Sequence, residues 1–248
     1  MKTSIAFKSA NRQQDNIIAP LEKRILAKLA EQMPGWVNPD HLTLLGLAGM
    51  ALAGLSYYLA RWNRWMLVAS AAFLAVNWFG DSLDGTLARY RNRQRPRYGF
   101  YVDHVVDAVG ILFLVGGLGL SGYMSPLVAM ALIIAYYLLS IEIYLATYTV
   151  GVFKLSFGIW GPTELRILLA AGDFALIFQK QAKLAGHSYL LADAGAIVAI
   201  VVLASLALHS AVRNTMRLYA EEPHGSRPRI CRPRTRSSPA VSACLRAS

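Results

Sequence analysis

The sequence predicts an all-α integral membrane protein, with six transmembrane helices preceded by an N-terminal interfacial amphipathic helix. Three observations predict it. Hydrophobic residues make up 55% of the 248 residues and charged residues only 16%, against roughly 25% charged in soluble domains. The apolar residues fall in blocks long enough to cross a bilayer, and Lys and Arg gather between alternate blocks. This composition excludes a disordered chain, which requires low hydrophobicity. The net charge of +11 sits mostly in loops and tails beside apolar blocks, where it sets topology and attracts anionic lipid. No nucleic-acid partner is therefore expected.

Residues 1–38 are polar and basic and hold no hydrophobic run, so no cleavable signal peptide is predicted. Within them Ile17, Ile18, Leu21, Ile25, Leu26 and Leu29 recur at helical spacing, opposite Lys23, Lys28 and Glu31. That pattern predicts a short helix lying in the membrane interface. Leu42 to Ala60 contains no charge and matches the ~20 residues a spanning helix needs. The second span begins near Trp65, is uncharged through Gly80 and keeps its helical pattern to about Arg89. Ala108 to Ile141 is too long for one span and is broken at Ser121-Gly122-Tyr123-Met124-Ser125-Pro126, which predicts spans three and four joined by a tight turn. The fifth, 162–178, carries Glu164, Arg166 and Asp173, and the sixth, 188–212, carries only Asp193. No strand and no internal repeat is expected. The domains are thus 1–38, a membrane domain over 39–213, and a basic, disordered tail over 214–248. Cys231 and Cys244 lie in that tail with no metal-like spacing.

Orientation follows from the placement of Lys and Arg. Six lie in the N-terminal segment, five in the loop after the second span and eight in the tail, whereas the opposite side carries Arg61, Arg64, Lys180 and Lys183. Both termini and the loop of Arg89, Arg91, Arg93, Arg95 and Arg97 are expected in the cytoplasm. Trp62, Trp65, Trp78 and Trp160 are expected in an aromatic belt.

The chemistry lies between Asp81 and Asp107. The stretch reads Asp81-x-x-Asp84-Gly85-x-x-Ala88-Arg89, nine residues, then Gly99-x-x-x-Asp103-x-x-x-Asp107. Spacings of three and four put each aspartate pair on one helix face. One pair closes the second span and the other opens the third, so four carboxylates meet at one depth. Such a cluster repels itself unless cations neutralise it. Oxygen-only ligands suit Mg²⁺, Mn²⁺ or Ca²⁺ rather than Zn²⁺, and a two-metal carboxylate site is apparatus for phosphoryl chemistry. Gly85 and Gly99 leave room for a ligand on that face.

This pattern resembles the signature of the CDP-alcohol phosphotransferases at every fixed position, and Pro39-Asp40-His41-Leu42-Thr43 resembles the family's lead-in to its first span. The resemblance covers about residues 17–213. It implies six spans, a cytoplasmic site, and transfer of a phospho-substituent from a CDP-linked donor to an alcohol with release of CMP. It implies that Asp81, Asp84 and Asp103 bind two divalent ions, Mg²⁺ or Mn²⁺, and that Asp107 is both general base and metal contact. Asp84, Gly85, Ala88, Arg89 and Gly99 match the nucleotide-side positions. A homodimer is frequent in the family, and a bacterial inner membrane is the expected location.

Arg166 and Lys154 are the candidate acceptor-binding cations. His104 sits beside Asp103 but points about 100° away on a helix and is read as structural. Asp193 is expected at the far interface, and Glu142 and Asp173 in contacts between helices or at a cavity. The donor expected from chain size is CDP-diacylglycerol, which gives a phosphatidyltransferase acting among membrane lipids on an alcohol acceptor. The competing readings are a CDP-choline or CDP-ethanolamine donor with a lipid acceptor, a divalent-cation transporter, and a non-catalytic scaffold.

Overall fold

The computed structural model describes residues 19–150, 162–184 and 187–222. The expected features at Ile17, Ile18, Lys154, Trp160, Cys231 and Cys244 lie outside them. Seven helices follow in order: α1 (Ala19–Gln32), α2 (Pro39–Leu59), α3 (Met66–Tyr90), α4 (Pro96–Leu120), α5 (Pro126–Val150), α6 (Pro162–Phe178) and α7 (Leu191–Glu221). Five of them, α2, α3, α4, α5 and α7, are long and apolar enough to cross a membrane, which supports the integral membrane class. The expected fifth span, α6, has 17 residues and rises about 26 Å, short of a bilayer core of about 30 Å. The helix α7 runs past the expected end at Val212 to Glu221.

The all-α expectation needs one correction. A two-stranded antiparallel hairpin, β1 (Gln181–Leu184) and β2 (His187–Leu190), joins α6 to α7, with Gln181 opposite Leu190 and Leu184 opposite His187. Strands of four residues are too short to give a readable alternation. The backbone between two helix ends must still find hydrogen-bond partners, and the ladder provides them.

Glycines decide how closely α2, α3 and α4 approach. A Cβ on Gly80 of α3 would lie 2.5 Å from the Leu42 carbonyl oxygen of α2, and one on Gly49 would lie 2.7 Å from the Asn77 nitrogen. A Cβ on Gly117 of α4 would lie 2.0 Å from the Gly54 oxygen of α2. Backbone thus meets backbone at both seams, as small residues allow in membrane bundles. The core beneath them includes Ala53, Tyr57, Leu67, Leu74, Leu114 and Leu118.

The helix α3 ends in a Schellman motif. Asn92 adopts φ 51°, a left-handed conformation that Asn tolerates. Arg93 N–H donates to the Ala88 carbonyl and Asn92 N–H to the Arg89 carbonyl, the paired bonds of that motif. The chain can therefore turn within a few residues, and Pro96 starts α4 at N1 or N2.

The N-terminal helix divides its apolar residues. Leu26 and Ala30 are buried against Val37, Leu42, Leu83 and Leu87, while Leu21 and Ile25 stay exposed. Its inner face is thus protein, at the end of the bundle where α2 and α4 begin and α3 finishes. Trp62 and Trp65 are exposed, but Trp78 is corrected from the belt to this α1–α3 seam, where its ring hydrogen-bonds to Glu22. Asp193 caps α5 by accepting from the Ser125 N–H at 2.7 Å and from its hydroxyl.

Gly117→Ala is expected to push α2 and α4 apart and lower stability by about 1–3 kcal/mol. Gly116→Ala, whose Cβ meets nothing within 4 Å, should stay within about 0.5 kcal/mol of the parent. Thermal unfolding in detergent micelles measures both.

Candidate active site

The aspartates stand on the last turns of α3 and the first turns of α4, which run antiparallel through the short Arg91–Arg95 connection. The structure brings them together: Asp107 lies within electrostatic reach of Asp81, Asp103, Arg166 and Asp84. All four are partly buried.

Asp81 and Asp84 are held by hydrogen bonds. Asp81 Oδ2 accepts from Arg166 Nη2 at 2.6 Å, and these two side chains are 26% and 16% exposed. Asp84 Oδ2 accepts from the Thr43 hydroxyl at 2.6 Å, and its Oδ1 from the Gly85 N–H. Among the described residues, no three His, Cys, Asp or Glu side chains converge closely enough to ligate one ion. The donor set nevertheless fits divalent cations, because it supplies carboxylate oxygens from α3 and α4. What it lacks is convergence, since Asp81 and Asp84 are drawn toward α6 and α2.

Around Asp107 stand phenols of α5. Tyr136 lies within electrostatic reach of Asp107, and Tyr144 of Asp107 and Asp103. His104 packs its ring on Phe100 and Tyr144, with centroids 4.2 and 4.8 Å apart, and its Nδ1 lies 2.6 Å from the Phe100 carbonyl oxygen.

On the nucleotide side, Gly85 and Ala88 are half-buried, while Arg89 and Gly99 are exposed. The Arg89 guanidinium donates to the Thr86 hydroxyl at 3.1 Å. It lies over Gly85, whose added Cβ would meet Arg89 Nη1 at 3.4 Å. Gly99 has open space where a Cβ would stand. Lys154 lies outside the described residues.

Several supporting residues were not singled out by sequence. Asn77, 4% exposed, accepts from Arg166 Nε at 2.8 Å and donates from Nδ2 to the Gly46 carbonyl at 2.9 Å. The signal for it was a lone amide inside an apolar span, where polar groups need partners. Glu22 Oε1 accepts from Trp78 Nε1 at 2.8 Å, Ser82 Oγ at 3.3 Å and Thr163 Oγ1 at 2.8 Å. One carboxylate oxygen thus ties α1 to α3 and to the start of α6, three residues before Arg166. Nothing in the α1 pattern marked it. The loop arginines also do structural work. Arg91 donates to the carbonyls of Met33, Pro34 and Val37, and Arg95 pairs with Asp40 at 2.6 Å. A depression of about 420 Å³ opens between Asn38–Asp40 and Arg93–Arg95.

Comparison with known proteins fits this arrangement. A profile of the CDP-alcohol phosphatidyltransferase family matches residues 36–208. The archaetidylinositol phosphate synthase of Methanothermobacter thermautotrophicus is 25% identical over 214 residues, covering 84% of this chain and 96% of that protein. The Pyrococcus horikoshii protein of the same name is 27% identical over 124 residues, covering 50% of this chain. The chain spans 63% of that relative's length. The crystal structure of Mycobacterium tuberculosis phosphatidylinositol phosphate synthase with CDP-DAG bound superposes with a TM-score of 0.56 at 18% identity. That match covers 79% of this chain and 94% of the other, so the two share a fold.

Glu22→Ala is expected to cost about 2 kcal/mol by stranding three donors and, by loosening α1, to speed tryptic cleavage at the already exposed Lys23 and Arg24. Glu22→Gln keeps an acceptor oxygen and should lose less. Thermal unfolding and limited proteolysis measure the pair.

Proposed function

The chain belongs to the CDP-alcohol phosphatidyltransferase family, and on that premise we propose that it transfers a phosphatidyl group from CDP-diacylglycerol to a phosphorylated alcohol and releases CMP. The observation that carries this reading is the signature itself: Asp81, Asp84 and Asp103 lie within electrostatic reach of Asp107, inside the matched region. The names of the relatives support inositol phosphate as the acceptor. The positive-inside argument supports a site facing the cytoplasm.

In this reading Asp81, Asp84, Asp103 and Asp107 hold two divalent ions, Mg²⁺ or Mn²⁺. Their charge, when bound, offsets that of the donor pyrophosphate and the departing CMP. Gly85, Ala88 and Gly99 leave room for the nucleotide, and Arg89 offers its guanidinium to the phosphates. Asp107 accepts the proton of the acceptor hydroxyl as that oxygen forms its bond to the phosphatidyl phosphorus. The bond from phosphorus to the CMP oxygen breaks, and CMP leaves with that electron pair. Arg166, whose Nη1 is buried with no hydrogen-bond partner among the described residues, and Lys154 supply cations for the acceptor phosphate.

Purified protein in nanodiscs with CDP-diacylglycerol, Mg²⁺ or Mn²⁺ and a panel of phosphorylated and unphosphorylated alcohols is expected to release CMP with inositol phosphate. EDTA should abolish release, and Asp107→Asn should lower it by about 10²–10⁴-fold. Release that persists in EDTA, or equal turnover by Asp107→Asn, would overturn the reading.

A further inference from the structure

The residue proposed for the acceptor phosphate is tied up elsewhere. Arg166 enters the site from α6 and donates from Nη2 to Asp81 Oδ2 at 2.6 Å and from Nε to Asn77 Oδ1 at 2.8 Å. Asn77 is itself oriented, because its Nδ2 donates to the Gly46 carbonyl at 2.9 Å, leaving only Oδ1 to face the guanidinium. The guanidinium is therefore held by two acceptors of α3 four residues apart, in a fork geometry that Arg provides and Lys cannot. Farther along α6, Asp173 is buried near Tyr57 and Ser70, with its Oδ2 and the Ser70 Oγ lacking hydrogen-bond partners among the described residues. The start of α6 is pinned by Thr163 to Glu22.

We propose that Arg166 is a built-in counter-ion that competes with a divalent cation for Asp81. This rests on the reading of the four aspartates as metal ligands. A cation that takes Asp81 Oδ2 meets a guanidinium already hydrogen-bonded there, so binding requires Arg166 to give up that oxygen. Asp81 then turns toward Asp84, Asp103 and Asp107, and Arg166 keeps Asn77 as its anchor while Nη2 becomes available. Metal loading and release of the guanidinium are one equilibrium, so the apparent metal affinity is the intrinsic one multiplied by the fraction of molecules in which Asp81 is unpaired. Linkage makes the effect reciprocal: metal at Asp81 frees Arg166, and an anion that engages Arg166 favours metal.

The test measures Mn²⁺ binding by the loss of the free-ion EPR signal, with full-length protein in detergent, for wild type, Arg166→Gln and Arg166→Lys. Thermal unfolding in EDTA and in Mn²⁺ runs in parallel. Arg166→Gln is expected to bind Mn²⁺ about tenfold more tightly, to melt lower than wild type in EDTA, and to gain more from Mn²⁺. Arg166→Lys keeps the charge but cannot hold Asn77 and Asp81 together, so it should also tighten, by a smaller factor. If Lys binds as wild type and only Gln tightens, the effect is the field of the charge and the competition is overturned. Unchanged or weaker binding in both variants overturns it equally. If wild type itself binds no Mn²⁺, the metal reading fails, and this inference fails with it. Should Arg166→Gln not fold, the Lys variant alone decides.

Discussion

Four partly buried carboxylates on two consecutive membrane helices, three of them within electrostatic reach of Asp107, are the constraint around which this protein is arranged. Like charges removed from water repel one another, and each unpaired one is expensive. The chain answers from three directions. Arg166 reaches Asp81 from α6, Thr43 reaches Asp84 from α2, and the Gly85 N–H reaches the same carboxyl from within α3. The arrangement offsets part of the repulsion that Asp81 and Asp84 share with Asp107.

Those answers work only if the helices stand close and in register. Gly46, Gly49 and Gly80 let α2 and α3 touch through their backbones, which puts Thr43 in reach of Asp84 and the Gly46 carbonyl in reach of Asn77. The Gly54–Gly117 contact does the same for α2 and α4. Along α6, Arg166 meets α3 through both Asn77 and Asp81. At the site end, Glu22 and Arg91 fasten α1 and the segment after it onto α3 and α6. The charged site therefore sits on rigid elements, as precise positioning demands.

Much of this was legible in the sequence because membrane helices carry strong signals. Uncharged blocks gave five helices long and apolar enough to cross, and the break at Ser121–Pro126 separated α4 from α5 as expected. The aspartate spacing gave the face on which the carboxylates lie. The rest was hidden for physical reasons. The β1–β2 hairpin is too short to alternate visibly. Trp78 reads as a belt residue until Glu22 is seen beside it. The Arg166–Asp81 pair joins residues 85 positions apart, and nothing local in either segment announces it.

The central claim is that the aspartates of α3 and α4 form one cation-dependent centre for a CDP-linked donor. The most direct measurement is anomalous diffraction from crystals grown with Mn²⁺ and CDP-diacylglycerol. The account predicts two anomalous peaks between α3 and α4, bounded by Asp81, Asp84, Asp103 and Asp107, with the cytidine beside Gly85 and Arg89. Peaks elsewhere in the bundle, or a nucleotide bound away from these four carboxylates, would contradict it.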